Sequence, residues 1–570
     1  MKTLTALFLV LSASLTASAD VRLPRLFSDH MILQQESTNT IRGFAAPGEH
    51  VTVRASWGAT ASATADKNGK WKLFLQTPAH GTGHWLSIAG QNTIKIADVA
   101  IGEVWLCAGQ SNMGWAVGHS YEAEMEANVN LPNFRIFRSA REHWHEPLDE
   151  ARDLLHRWKP CNPESAAETS VVAYNFGKKL HQALGIPVGI IQASYAGTPI
   201  EGWMPWEVQK DIHQSQLQKQ QMESSKTRQE GKKGESRGAS LTKFEKDLAE
   251  YKAKIAAGET MKNKVRELLP PSITKPADLG SQYPANIFNA MIYPIRPYGK
   301  KGVIWYQGER NSKTAPQAVA YREQLERLIS YYRSSWHELS GGNVAKDFPF
   351  QFTQLPSWEP PQTKPVEGVE ATWPVNRESM RLVSQEIPNT GMAVSIDCGD
   401  PVALHPKNKK PIGIRHAYIA IEQTYGKKIV GNGPRYRTQK IGGNKIILEF
   451  DSVGSGMMAA KPGCLDSFAI AGADKVWHWA DAKIQDNMVV VSSPEVSKPV
   501  AVRYAWAMNP SQRNLLYNKE GLPASPFRTD DWPLFNPEDD AVRVEKPEKT
   551  DESRDAKRNS KDWARPRMTQ

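Results

Sequence analysis

The chain has 570 residues and a formal charge of +10, with 40% hydrophobic and 23% charged residues. That length is too great for one core and implies two to four domains of ordinary globular composition. The positive balance does not make a nucleic-acid binder, because basic residues are interspersed with acidic ones and no nucleic-acid motif accompanies them; at most it favours a mild attraction to acidic glycans.

Residues 1–19 read as a cleavable signal peptide: Lys2 supplies charge, residues 4–15 an apolar core too short to span a bilayer, and Ala17-Ser18-Ala19 a cleavage site before Asp20. Cleavage after Ala19 implies a secreted or periplasmic protein, and no later apolar run is long enough for a membrane span. The four cysteines, Cys107, Cys161, Cys398 and Cys464, are too few for a disulfide framework and too far apart for a zinc site, so no metal is expected.

Residues 20–100 carry short alternating runs at 51–53, 61–65, 71–75 and 93–96, separated by turns such as Lys67-Asn68-Gly69, and predict a small β-sandwich. From 101 to 427 strands alternate with helices. The stretch 173–184 has Phe176, Leu180 and Leu184 on one face and closes at Gly185; 188–192, 303–306 and 392–396 are buried-strand runs, and 321–336 is helical. Such alternation predicts a mostly parallel sheet between helical layers. A charged insertion at 205–280 interrupts it, with Leu241, Phe244, Leu248, Tyr251 and Ile255 at helical spacing. Residues 428–535 return to β character, and 536–570 are charged and poor in apolar residues, the pattern of a disordered tail.

The most informative stretch is EVWLCAGQSNMGW at 103–115. An apolar strand, 104–108, breaks at Gly109 and presents Ser111 at the start of a turn. In α/β hydrolytic folds a nucleophile is exposed in this way at the carboxyl edge of a sheet, although the GxSxG elbow is absent and a helix-capping serine gives the same pattern. Three more segments follow strand runs and should reach the same rim: Ser194-Tyr195-Ala196-Gly197-Thr198, Trp305-Tyr306-Gln307-Gly308-Glu309 and His405-Pro406-Lys407-Asn408-Lys409. Together they hold the inventory of an acyl-transfer site. Ser111 would attack, His405 would take its proton, and the N–H groups of Ser111 and Gly197 with the side-chain amide of Gln307 would hold the oxyanion.

The chain resembles the sialate O-acetylesterases, within the SGNH (GDSL-like) carbohydrate esterases. The matching segments are LPRLFSDHMILQ (23–34), GQSNM (109–113), YAGTPIEGWM (195–204), FNAMIYPIRPY (288–298), KGVIWYQGERN (301–311), GMAVSIDCGDP (391–401), HPKNK (405–409) and NLLYNKEGLPASPFRTDDW (514–532). The resemblance implies a three-layer α/β/α catalytic domain flanked by β regions. It also implies an exported serine esterase that removes O-acetyl groups from sialic acids or related sugars, without a cofactor. The family sets an acidic residue two positions before the histidine, where this chain has Ala403. Either the site is a dyad or another carboxylate substitutes, with Glu309 the first candidate and Asp400 the second. An acetylxylan or other polysaccharide deacetylase is the alternative enzyme, and an inactive glycan-binding protein the alternative class. The expected partner is an O-acetylated sugar or glycan, with no nucleic acid, and nothing in the sequence dictates an oligomeric state.

Overall fold

The computed structural model describes residues 20–152, 156–230, 279–368 and 371–535, with single helical positions at 246, 249 and 253. The signal peptide 1–19, the apolar stripe from Leu241 to Ile255 and the tail 536–570 lie outside the described residues. Among the described residues no helix is long and apolar enough to cross a membrane.

Six strands form the centre: β1 (Thr93–Gly109), β2 (Leu131–Arg138), β3 (Val188–Ser194), β4 (Gly302–Tyr306), β5 (Phe350–Thr353) and β6 (Thr390–Ala393). They lie in the order β6-β5-β4-β1-β3-β2, each parallel to its neighbours, and Lys159–Cys161 adds an antiparallel edge beside β2. Every residue of β3 and β4 is buried, which is why these strands read as continuous apolar runs: helices cover both faces of a parallel sheet.

The helices are α1 (Ser111–Gly114), α2 (Val171–Leu184), α3 (Ala315–Leu339), α4 (Thr372–Glu386) and α5 (Lys410–Ile419). Trp105, Cys107, Ile304 and Tyr306 pack with Phe176 and Leu180 of α2 and Ile412 of α5. Their alternates Leu106, Val303 and Trp305 pack with Tyr321 and Leu328 of α3 and Met380 of α4. This period-two division gives the three α/β/α layers.

β1 is long because it serves two sheets. Its first half pairs antiparallel with Gly81–Ala89, and from Glu103 onward it pairs with β3 and β4. The expected boundary at residue 100 therefore falls inside one strand. The amino-terminal β region buries Ile41, Trp71, Leu73 and Leu75 of one hairpin-like pair, and Val51, Val53, Leu86 and Ile88 of the other sheet. At the carboxyl end, two four-stranded antiparallel sheets share a core built from Ile446, Leu448, Val489 and Val491 on one side and Phe468, Val502, Tyr504 and Phe527 on the other. Arg377 of α4, fully buried, donates to the carbonyls of Leu355, Pro356, Ala507 and Met508 and ties this region to the α/β unit. All four cysteines are free thiols.

β6 is shorter than its apolar run suggests. It is an edge strand with one neighbour, and beyond Ala393 the chain leaves the ladder: the Val394 carbonyl accepts from Arg415 and the Ile396 carbonyl from the Ser357 hydroxyl.

Candidate active site

β3 and β4 flank β1, and the chain passes from one side of β1 to the other between them. At such a reversal a crevice opens outside the carboxyl ends of the strands. Three loops reach this rim: Ser111 after β1, Gly197 after β3 and Gln307 after β4.

The turn after β1 depends on Gly109. Its φ is +144°, and a Cβ there would meet the Tyr306 carbonyl oxygen at 2.1 Å. That close approach lets the Gln110 N–H donate to the same carbonyl at 3.0 Å, fastening the end of β1 to the end of β4. Ser111 then opens α1 half-buried, with an N–H that has no partner among the described residues, as the first turn of a helix leaves it.

His405 arrives from the far end of the sheet. Its Nε2 lies 2.8 Å from the Ser111 hydroxyl oxygen, across 294 residues of sequence. The imidazole stacks on Trp115, with ring centroids 5.4 Å apart and planes 14° from parallel. Burial, and then the Lys409 cation, hold its pKa below the usual histidine value. A neutral imidazole at Ser111 can accept the hydroxyl proton, which is what a general base has to do.

Gly197 sits exposed on the turn after β3 with φ +71°, open space where a Cβ would point, and an N–H without a partner among the described residues. Gln307 does not join it. The amide is fully buried, and its Nε2 faces three acceptors: Asn311 Oδ1 at 2.8 Å, and Gln110 Oε1 and the Thr198 carbonyl at 3.2 Å. Two hydrogens are thereby engaged, leaving none for an oxyanion. Gln307 instead braces the β3 and β4 loops from beneath, with Asn311 bonded in turn to Glu201.

Neither expected acid reaches the histidine. Asp400 turns back on its own loop, its Oδ1 accepting from the N–H groups of Val402 and Ala403 at 2.8 Å each. Glu309 is buried and accepts from Asn112 Nδ2 at 2.5 Å. Among the described residues no carboxylate pairs with His405. Three residues given no role in the sequence reading gather here instead: Asn112, Trp115 and Lys409. Each lies within a segment quoted above, but nothing in the text of the chain reveals that Lys409 is fully buried or that Asn112 lies against Glu309.

The carbohydrate-esterase family of sialic acid-specific acetylesterases matches residues 101–269 and 278–408. The chain belongs to that family. It is 26% identical over 556 residues to the sialate O-acetylesterase of Homo sapiens, covering 91% of this chain and 94% of the relative. To the Mus musculus sialate O-acetylesterase it is 25% identical over 556 residues, with 91% and 96% covered. The crystal structure of a carbohydrate acetylesterase from Xanthomonas citri aligns with a TM-score of 0.71 at 31% identity, over 90% of this chain and 100% of that one. The protein is a carboxylic ester hydrolase, and the family match contains Ser111, Gly197, Gln307, Glu309 and His405.

Proposed function

We propose that this esterase is an exported serine hydrolase that removes O-acetyl groups from sialic acids or related acetylated sugars, by way of an acetyl-enzyme on Ser111. The single observation that carries the reading is the 2.8 Å contact between the Ser111 hydroxyl and His405 Nε2. The family match and the acetylesterase relatives support the acetyl-sugar substrate, and export rests on residues 1–19.

In the first half-reaction His405 Nε2 takes the Ser111 proton as the oxygen attacks the acetyl carbonyl. The unpartnered N–H groups of Ser111 and Gly197 receive the negative charge that develops on the carbonyl oxygen. The C–O bond to the sugar then breaks, and His405 returns the proton to the departing alcohol. In the second, His405 takes a proton from water, which attacks the acetyl ester; collapse releases acetate and restores the Ser111 hydroxyl. The catalytic pair is a dyad in this reading, since Asp400 and Glu309 are bonded elsewhere.

The substrate is tested by comparing kcat/KM on an O-acetylated sialoside and on acetylated xylan, with p-nitrophenyl acetate as the common reference. Preference for the sialoside is expected. Preference for xylan would move the enzyme to polysaccharide deacetylation, and no release above background from any of the three would favour a glycan-binding protein instead.

A further inference from the structure

Asn112 follows the candidate nucleophile directly, is fully buried, and has every polar atom of its amide engaged. Nδ2 donates to Glu309 Oε1 at 2.5 Å and to the Leu404 carbonyl at 3.2 Å; Oδ1 accepts from Lys409 Nζ at 2.5 Å. Leu404 immediately precedes His405, and Lys409 follows it by four residues. One amide thus grips the base loop on both sides of the imidazole, from the same turn that carries Ser111.

The two charged partners fix which way round that amide sits. With Glu309 ionised and Lys409 protonated, the carboxylate only accepts and the ammonium only donates, so Nδ2 faces Glu309 and Oδ1 faces Lys409. Burial pushes the Glu309 carboxyl above its usual range, and the Asn112 donor and the Lys409 charge oppose that shift. The second Nδ2 hydrogen is then aimed at Leu404. Among the described residues the two charges form no ion pair with each other: the amide lies between them, and Glu309 Oε2 is buried without a partner. Burying a carboxylate and an ammonium in this way is unfavourable compared with apolar residues of similar size, so stability alone does not account for the arrangement.

Resting on the Ser111–His405 reading, we propose that Glu309, Asn112 and Lys409 form a clamp that positions His405 where, among the described residues, no carboxylate orients it. Trp115 fixes the ring plane by stacking, and the clamp fixes the loop that delivers the ring. All three are positioning residues and touch no reacting atom.

The clamp also carries charge toward the base. Burial draws the Lys409 ammonium down to about 7, against the opposing pull of Glu309. Around Lys409 the other titratable neighbours are Tyr306, with its ring centroid 5.7 Å from Nζ, and Cys398. Lys409 is the charged group acting on His405; His119 lies beyond Trp115, and Asp400 is held within the His405 loop. While protonated, Lys409 resists a second positive charge on His405, so the base remains free at lower pH.

The test uses p-nitrophenyl acetate kinetics of the full-length protein across pH. Asn112→Leu should lower kcat about 100-fold with KM changed less than about threefold, the scale at which misplacing a general base acts. Glu309→Leu should behave similarly, whereas Glu309→Gln keeps an acceptor for Asn112 and should recover to within about threefold of wild type. Lys409→Met should move the acid limb of kcat/KM upward by about one pH unit, and Lys409→Arg should leave it in place. This last readout stands even if Asn112→Leu fails to fold. Wild-type kcat in Asn112→Leu, or an unmoved acid limb in Lys409→Met, would overturn the clamp. Ser111→Ala separates the two levels: if it is inactive while the clamp variants are not impaired, only the clamp falls; if it stays active, the serine reading falls too.

Discussion

The nucleophile turn and the base loop meet in one hydrogen bond, yet they are built by different physics. Ser111 inherits its place from a ladder: Gly109 is registered against Ser194 on one side and Tyr306 on the other, inside the most deeply buried part of the sheet. His405 hangs beyond an edge strand, in a segment without regular structure from 394 to 409. Beside a few backbone bonds, such as Asp400 N–H to the Ser357 carbonyl, several of its backbone groups are taken up by side chains: Arg415 on Val394, Asp400 on Val402 and Ala403, and Asn112 on Leu404. A ladder position is shared by many bonds and tolerates the loss of one. A loop held by a few side chains does not. Substitutions in the two regions should therefore separate into those that cost stability and those that cost turnover.

The largest effect tests the meeting point itself. Ser111→Ala should lower kcat by about 10⁴-fold while the thermal midpoint and circular dichroism stay those of the wild type. On the ladder side, Trp305→Ala empties a fully buried position on β4 and should destabilise the protein by about 3–5 kcal/mol in urea unfolding, with kcat of the folded fraction within a few-fold of wild type. If instead Trp305→Ala abolished turnover in protein that is still folded, the division between the regions would be wrong. On the loop side, Trp115→Ala removes the ring on which His405 stacks; kcat should fall by about three- to tenfold, the worth of one aromatic contact, with little change in unfolding. The mildest test is the pH profile of the wild type. Deprotonated His405 is the active form, so activity rises with pH through its pKa; because burial and Lys409 hold that pKa below 6.5, kcat/KM should already exceed half its plateau at pH 6.5. A midpoint above 6.5 would mean that neither burial nor the Lys409 charge governs the ring.

The same contrast explains what could be read from the sequence. Strands such as 188–192 and 303–306 were legible because double-sided burial demands uninterrupted apolar runs, and the helix at 173–184 because its apolar face repeats locally. Observed boundaries differ by a few residues: α2 begins at Val171, behind a Ser170 cap. Ser111 and His405 were legible because each follows a strand in a parallel sheet, where rim position follows from topology. The orientation of Gln307, Glu309 and Asp400 was not. Their partners Asn311, Asn112 and the Val402 N–H were equally present in the sequence, but choosing among polar neighbours depends on loop conformation rather than on any periodicity. Lys409 was invisible for a related reason: lysine is seldom fully buried, so composition argues against what the fold does with it.

The central claim is that Ser111 is activated by His405 across the rim of the sheet. It is tested most directly by treating the protein with a fluorophosphonate and mapping the adduct by peptide mass spectrometry. One adduct is expected, on Ser111, absent in Ser111→Ala and formed far more slowly in His405→Ala. A modified residue elsewhere, or undiminished labelling of Ser111 without the imidazole, would contradict it.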